Sequence, residues 1–218
     1  MPDSETGYVI GIQEIDAAVR AGAGPLLAAW LRGDSEPPSA ALAAAELARA
    51  TQRHVPPSIR LASLTWCPGP LASTTWTIDM PDHAIVAERF DFSASHRLHC
   101  PGRSDDENRR LFGKCNNPNG HGHNYRIEVA VRVPAGPGAE ALPEDRLERV
   151  VRREVLERFD HRHLNSDCPE FASLNPSVEN IAKVCHGLLE PALREAGTEL
   201  HRVTVWETEK TSATYPAR

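Results

Sequence analysis

Three histidines carry the first chemical signal in this chain. His121 and His123 stand as H-x-H at the start of HGHNYRIEVAVRV, and residues two apart on an extended strand project from one face, so both imidazoles point the same way. His121, His123, Tyr125, Ile127, Val129, Val131 and Val133 share that face, with Arg126, Glu128 and Arg132 on the other, the alternation of a half-buried antiparallel strand. His96 ends a second strand-like run, AIVAERFDFSASH, in which Val86, Phe90, Phe92, Ala94 and His96 have one parity. Pairing these two strands would bring three imidazole nitrogens together. Three histidines without a fourth strong ligand are the donor set of a catalytic zinc, Zn2+ with an open position for water or substrate. Three separate histidines buried on apolar faces without a shared purpose would be costly.

Further reactive side chains surround this set in the sequence. Cys115 lies in GKCNNPNGHGH, a loop whose Gly, Asn and Pro content predicts mobility and lets it fold back over a metal. Beside a cation its thiol would ionise more easily and serve as base or nucleophile. A structural zinc completed by Cys115 and Cys100 is the alternative, although the spacing matches no common zinc finger. FDHRHLN offers Asp160 and His161 as orienter and proton carrier, with His163 or an ordinary helix end as other readings. Glu207 shares its strand face with Val203 and Val205, where an unpaired carboxylate is expensive. A ligand donating two hydrogen bonds, such as the amidine-like edge of a pterin or guanine, would satisfy it; so would a salt bridge within the protein.

The elements that must position these residues follow from periodicity. The two histidine strands begin near Ile85 and His121, and PAGPG ends the second. A helix is expected from about Pro143 to Phe159, with Leu147, Val150, Val151 and Val155 at helical spacing. Another starts at Ser177 as N-cap and runs towards Gly197, with Pro191 expected to kink or end it. LHRVTVWETE closes the series as a strand, giving strand, strand, helix, helix, strand. The front differs. TGYVIGIQEIDAAVR reads as a short extended piece and a helix carrying Ile12, Ile15 and Val19, PPSAALAAAELARA as a second helix, and SIRLASLTWCPGPLASTTWTI as strand and turn. Residues 1–50 hold thirteen alanines and no histidine, whereas eight of the ten histidines lie at or after His96. LTWCPGPLASTTW and VTVWETEKTSATY look like distant copies, with Trp66 against Trp206 and Cys67 against Glu207, which points to an internal duplication.

Composition narrows the function classes. The 218 residues include 40% apolar and 25% charged, enough for a real core, and no run approaches the roughly 18 apolar residues of a membrane span. With 24 basic against 30 acidic groups and no basic patch interleaved with aromatics, nucleic-acid binding is not expected. Five scattered cysteines make no disulfide framework, and the acidic opening carries no export signal, so a cytoplasmic chain is expected.

FSASHRLHCPGRSDDENRRLFGKCNNPNGHGHNYRIEVAV, FDHRHLN, PSVENIA and VWETE, in this order, resemble the motifs of the 6-pyruvoyl-tetrahydropterin synthase family over about Ile85 to Tyr215. The resemblance implies an α+β tunnelling fold (T-fold), a ββααββ unit that closes into an oligomeric β-barrel, with trimers stacking into hexamers and active sites between subunits. It implies zinc on His96, His121 and His123, a catalytic Cys115, a supporting Asp160–His161 pair, Glu207 on the pterin ring, and Ser177 and Glu179 lining the pterin pocket. The implied reaction converts 7,8-dihydroneopterin triphosphate to 6-pyruvoyl-tetrahydropterin and triphosphate, with no nicotinamide or flavin. The 6-carboxytetrahydropterin synthases of queuosine biosynthesis share fold, metal and substrate; they usually have three residues between cysteine and H-G-H, where this chain has five, N-N-P-N-G. A cupin-type metal oxygenase, using Glu128 with H-x-H, and a non-catalytic pterin-binding module are the readings from other classes, and the parity of Glu128 opposes the first. Residues 1–84 then resemble a degenerate partial copy (helix, helix, strand) ahead of a catalytic domain at 85–218. An unrelated helical cap is the alternative.

Overall fold

Small side chains let the two front helices approach each other closely. The computed structural model describes residues 8–143 and 145–217. Helix α1 (Ile12–Arg32) begins where the Glu14 carboxylate accepts the Gly11 N–H at 3.0 Å, and it ends at Gly33 in the left-handed region, φ 74°. The extended piece expected ahead of it falls partly on Thr6 and Gly7, outside the described residues. Helix α2 (Ala40–Gln52) is capped by Ser39, whose Oγ accepts from the Leu42 N–H. A Cβ on Gly22 of α1 would lie 2.6 Å from the Ala50 carbonyl oxygen, and Ala43, Ala44 and Ala45 of α2 are fully buried. The alanine count thus reports tight helix pairing. Helix α2 packs on a hairpin of β1 (Ser63–Gly69) and β2 (Ala72–Thr77), where the Trp66 ring stands 6.4 Å from Trp30. These elements, the first residues of β3 (Met80–His96) and residues 132–142 form one of two compact units, dividing the chain at Val86/Ala87.

The second unit holds His96, His121 and His123. Its sheet has the order β3-β4-β6-β7, with β4 at His121–Pro134, β6 at Glu199–Thr208 and β7 at Thr211–Tyr215. Strands β6 and β7 are antiparallel, and the two-residue β5 (Arg162–His163) runs parallel to β3. Phe92, Ala94 and His96 are buried on β3, as the expected alternation requires. The face they share carries the core, where Phe92 stacks on Tyr125 at 5.1 Å and Phe159 closes against both Phe92 and Phe171.

Several local features differ from the sequence expectation. Strand β3 starts at Met80 rather than Ile85. Helix α3 (Asp105–Phe112) interrupts the connection between the histidine strands; it buries only Asn108, so it has no apolar stripe, though Ser104 and Glu107 form a capping box at its start. The expected helix over 143–159 is α4 (Arg146–Val151), a π-helical turn (Arg152–Leu156) and a last turn α5 (Glu157–Phe159). Two short helical pieces follow, α6 (Leu164–Asp167) and a 3₁₀ turn (Pro169–Phe171). Helix α7 (Val178–Glu195) continues through Pro191, because Pro191 and Gly187 both lie on its exposed face, where water can satisfy the carbonyl that proline leaves unpaired. Strand β7 went unseparated from β6 because most of its residues are exposed and show no apolar alternation.

Candidate metal centre and active site

Neighbouring strands bring the three histidines together. The ligating nitrogens of His96, His121 and His123 lie within 4.8 Å of one another, and this is the only such group of histidine, cysteine or acidic side chains among the described residues. His96 Nε2 is 3.2 Å from His121 Nε2. His96 Nδ1 lies 2.7 Å from the Pro176 carbonyl, so it carries the proton that it donates there and leaves the Nε2 lone pair free. Burial holds His96 down to a pKa of about 4, and burial with the neighbouring His123 lowers His121. Neutral imidazoles are the form that binds a metal. His123 Nε2 and His121 Nδ1 are buried without a hydrogen-bond partner. A buried Nε2 without a hydrogen bond, grouped with two other imidazoles, fits a metal ion on these three residues.

Glu207 stands against this centre, with Oε1 3.2 Å from His96 Nε2 and 3.5 Å from His123 Nε2. Desolvation raises its pKa and His123 opposes the shift. Glu179, exposed in the first turn of α7, is close enough to raise it further. Ser177 caps α7 by accepting from the Asn180 N–H, directly after the Pro176 carbonyl that holds His96. Tyr125 is fully buried beneath the centre, its hydroxyl 3.3 Å from His96 Nδ1, and burial raises its pKa strongly.

The loop bearing Cys115 is tied down, contrary to the mobility expected from its composition. Residues Gly113–Asn116 form a 3₁₀ turn. Leu98 N–H donates to the Cys115 carbonyl at 2.7 Å, and Asn116 Nδ2 donates to the Leu98 carbonyl at 2.7 Å. Asn108, fully buried, accepts from the Cys100 N–H and donates to the Cys100, Arg103 and Ser104 carbonyls. Asn165 clamps the Arg97 backbone through both its N–H and C=O. Gly120 turns the loop into β4 at φ 72°, with so little room that a Cβ would meet His163 Nε2 at 2.6 Å. Burial pushes the Cys115 thiol pKa up and the Glu207 charge adds to it, so both effects await an opposing cation. Cys100 is not part of the metal-ligand group.

Asp160 and His161 pair with each other, Nδ1 to Oδ2 at 2.9 Å. Asp160 Oδ1 accepts the Ser93 N–H, the main reason its pKa is lowered, and His161 adopts φ 58° while its N–H bonds the Ser93 carbonyl. Among the described residues neither has a hydrogen bond or ion pair with Cys115. The His161 side chain is 81% exposed. The pair opens on a cavity of about 940 Å³ whose wall includes Ser93, Asn124 and Arg126, residues of opposite strand parity to His96 and His123. The same wall includes Glu207, yet among the described residues no hydrogen bond or ion pair joins the pair to the three histidines. Glu128 is on the face opposite to the histidines, bonded to Arg89 at 2.9 Å and near Arg202 at 3.8 Å. Sequence reasoning missed Tyr125, Asn108, Asn116 and Asn165 as supports of the site; the asparagines gave no periodic signal because each acts through irregular backbone.

Fold and site together define an α+β protein with a three-histidine cluster that could hold a metal, flanked by a cysteine and a carboxylate. The family described as 6-pyruvoyl tetrahydropterin synthase matches residues 85–218, and the chain belongs to this family. The 6-pyruvoyl tetrahydrobiopterin synthase of Homo sapiens is 39% identical over 133 residues, 61% of this chain and 90% of the human protein. That of Dictyostelium discoideum is 32% identical over 139 residues, covering 60% of this chain and 94% of its own length. The solved 6-pyruvoyl tetrahydropterin synthase of Caenorhabditis elegans superposes with a TM-score of 0.53 at 34% identity, over 62% of this chain and 96% of that one.

Proposed function

We propose that this protein is a zinc-dependent 6-pyruvoyl-tetrahydropterin synthase, acting on 7,8-dihydroneopterin triphosphate to release 6-pyruvoyl-tetrahydropterin and triphosphate. The observation that carries the reading is the converging histidine triad with Cys115 and Glu207 beside it, in a chain of this family. Zinc held by His96, His121 and His123 would supply Lewis acidity at the oxygens of the substrate side chain. Glu207, desolvated and raised in pKa, accepts the paired N–H groups of the pterin edge, with Ser177 and Glu179 at the rim of that pocket. The Cys115 thiolate takes the proton from the side-chain carbon, and Asp160 fixes the His161 tautomer so that the imidazole can pass protons on. Triphosphate leaves from the far end of the side chain.

Because neither Asp160 nor His161 is bonded to Cys115 among the described residues of one chain, the reading includes a homo-oligomer, a trimer or stacked trimers closing a β-barrel, in which the pair serves a neighbouring subunit's cysteine. The front residues 1–84 are proposed to be a degenerate copy of the rear half of the catalytic unit. In each hairpin the tryptophan precedes a register shift: Trp66 pairs with Thr74, and Trp206 with Ser212. A cupin-type reading finds less support, since Glu128 is engaged by Arg89 and Arg202.

Incubating the zinc-loaded protein with 7,8-dihydroneopterin triphosphate and weighing the pterin product tests the assignment. A 6-pyruvoyl product with stoichiometric triphosphate is expected. A 6-carboxytetrahydropterin would assign the chain to the queuosine branch, and no product would refute both. Cys115→Ala should abolish turnover while retaining zinc, which separates catalysis from a pterin-binding role.

A further inference from the structure

We propose that the cavity bounded by Arg97, Arg109, Lys114 and His121 is the subsite that grips the polyphosphate tail of the substrate, with Arg97 as its preorganised anchor. The proposal rests on the pterin triphosphate reading and adds to it the residues that hold the leaving group.

Three cavities border the histidine centre and its neighbours, and charge distinguishes them. The one of about 940 Å³ beside Glu207 has Arg89 and Arg126 against Asp91, Asp160, Glu207 and Glu209. Both of its arginines are already engaged, Arg89 with Glu128 and Arg126 with Asp91 at 3.0 Å. A second, beside His123, sets Arg162 against Asp167. The third, of about 560 Å³, has three cations against the single carboxylate of Asp105. A triphosphate carries several negative charges at neutral pH, and of these cavities only the third offers a cationic excess to meet them.

Position agrees with charge. His121 belongs both to the metal-ligand group and to the wall of this cavity, and Lys114 and Asn116, which flank Cys115, belong to that wall too. A substrate with its side-chain oxygens at the histidine centre and its reacting carbon at Cys115 therefore has its phosphorylated end at this opening. The walls are held in place before any ligand arrives. Asn165 clamps the Arg97 backbone at both polar groups, and Arg97 NH2 donates to His99 Nδ1 at 3.2 Å, the same acceptor that Asn116 Nδ2 approaches at 3.2 Å. Arg97 Nε is buried with no hydrogen-bond partner. Arg97 and Lys114 have no ion pair among the described residues, and Arg109 has only the exposed Asp106 one turn away. An arginine fixed at its backbone and at one guanidinium nitrogen, with its charge uncompensated, is poised for an anion.

Binding of inorganic tripolyphosphate to the zinc-loaded protein tests this by calorimetry, independently of turnover. The variants are Arg97→Gln, Lys114→Gln and, as controls in the first cavity, Arg89→Gln and Arg126→Gln; zinc content and melting temperature establish that each is folded and loaded. Arg97→Gln and Lys114→Gln should each weaken tripolyphosphate about tenfold or more, the controls less than about twofold, and Arg97→Lys should recover part of the loss. Unchanged affinity in folded Arg97→Gln and Lys114→Gln, a loss confined to the Arg89 and Arg126 variants, or no tripolyphosphate binding by the wild type would each overturn the proposal. Turnover distinguishes this failure from failure of the functional reading: a wild-type protein that makes product but binds tripolyphosphate elsewhere retains the reading and loses the subsite.

Discussion

At the residue scale, the centre is organised around a histidine that refuses a proton. His96 has no exposed surface, donates from Nδ1 to Pro176, and has its pKa lowered from 6.5 to about 4, mainly by burial. Its folded pKa lies below its unfolded one, so between the two values the unfolded chain binds more protons and stability rises with pH. This contribution is complete above about pH 6.5, is lost as pH falls towards 4, and is constant below that. His121 works in the same direction, whereas Glu207, raised by burial, works in the opposite one. In metal-free Glu207→Gln protein the opposing carboxylate is gone, and the denaturant midpoint should fall as pH is lowered from 7 to 4.5 while the His96 ring resonances in NMR remain those of neutral imidazole. A His96 titration near its ordinary value would show that the ring is not desolvated as described. Convergence of the three ligands was legible in sequence because strand alternation fixes which residues share a face. Glu207's approach to His96 and His123 was only half legible: parity put it on the inner face, but its partners come from other strands.

At the element scale, asparagine side chains hold the Cys115 loop where regular secondary structure does not reach. Asn108 is the sole buried residue of α3, and its amide meets three carbonyls and one N–H of the turn that leads into the helix. Asn108→Ala would strand these groups in a water-poor corner, with a loss of about 2–4 kcal/mol in unfolding free energy. Because the turn is joined to Cys115 through Leu98 and Asn116, the same variant should expose the Cys115 thiol to alkylation severalfold faster. Alkylation kinetics with a denaturation curve check this, and wild-type behaviour in both would remove Asn108 from the loop's supports. These features explain which elements escaped sequence reasoning. Strands β3, β4 and β6 and helices α2 and α7 have periodic apolar faces and were readable within a few residues, whereas α1 runs on to Arg32 and leaves the expected Ile12, Ile15 and Val19 exposed, burying Ala18, Gly22 and Ala23 instead. Helix α3 and strand β7 lack such faces, and the Cys115 turn is built by side-chain to backbone bonds between residues that no period connects.

At the scale of the whole molecule, the roles proposed for Cys115 and for the Asp160–His161 pair make a demand on assembly. The Asp160–His161 pair is solvent-open and tied to the Ser93 backbone, and no bond among the described residues joins it to Cys115. If the pair serves a neighbouring subunit, each active site needs Cys115 from one chain and His161 from another. Cys115→Ala and His161→Ala homo-oligomers should then both be nearly inactive, yet subunit exchange between equal amounts of the two should create sites with both groups intact. For random exchange around a ring of head-to-tail interfaces, about a quarter of the sites regain both residues, so activity should rise to roughly a quarter of wild type. Light scattering on the same samples gives the subunit number, and mass spectrometry of the mixed species verifies exchange. If both groups of each site came from one chain, every site in the mixture would keep a defect, and activity would stay at the level of the parents however complete the exchange.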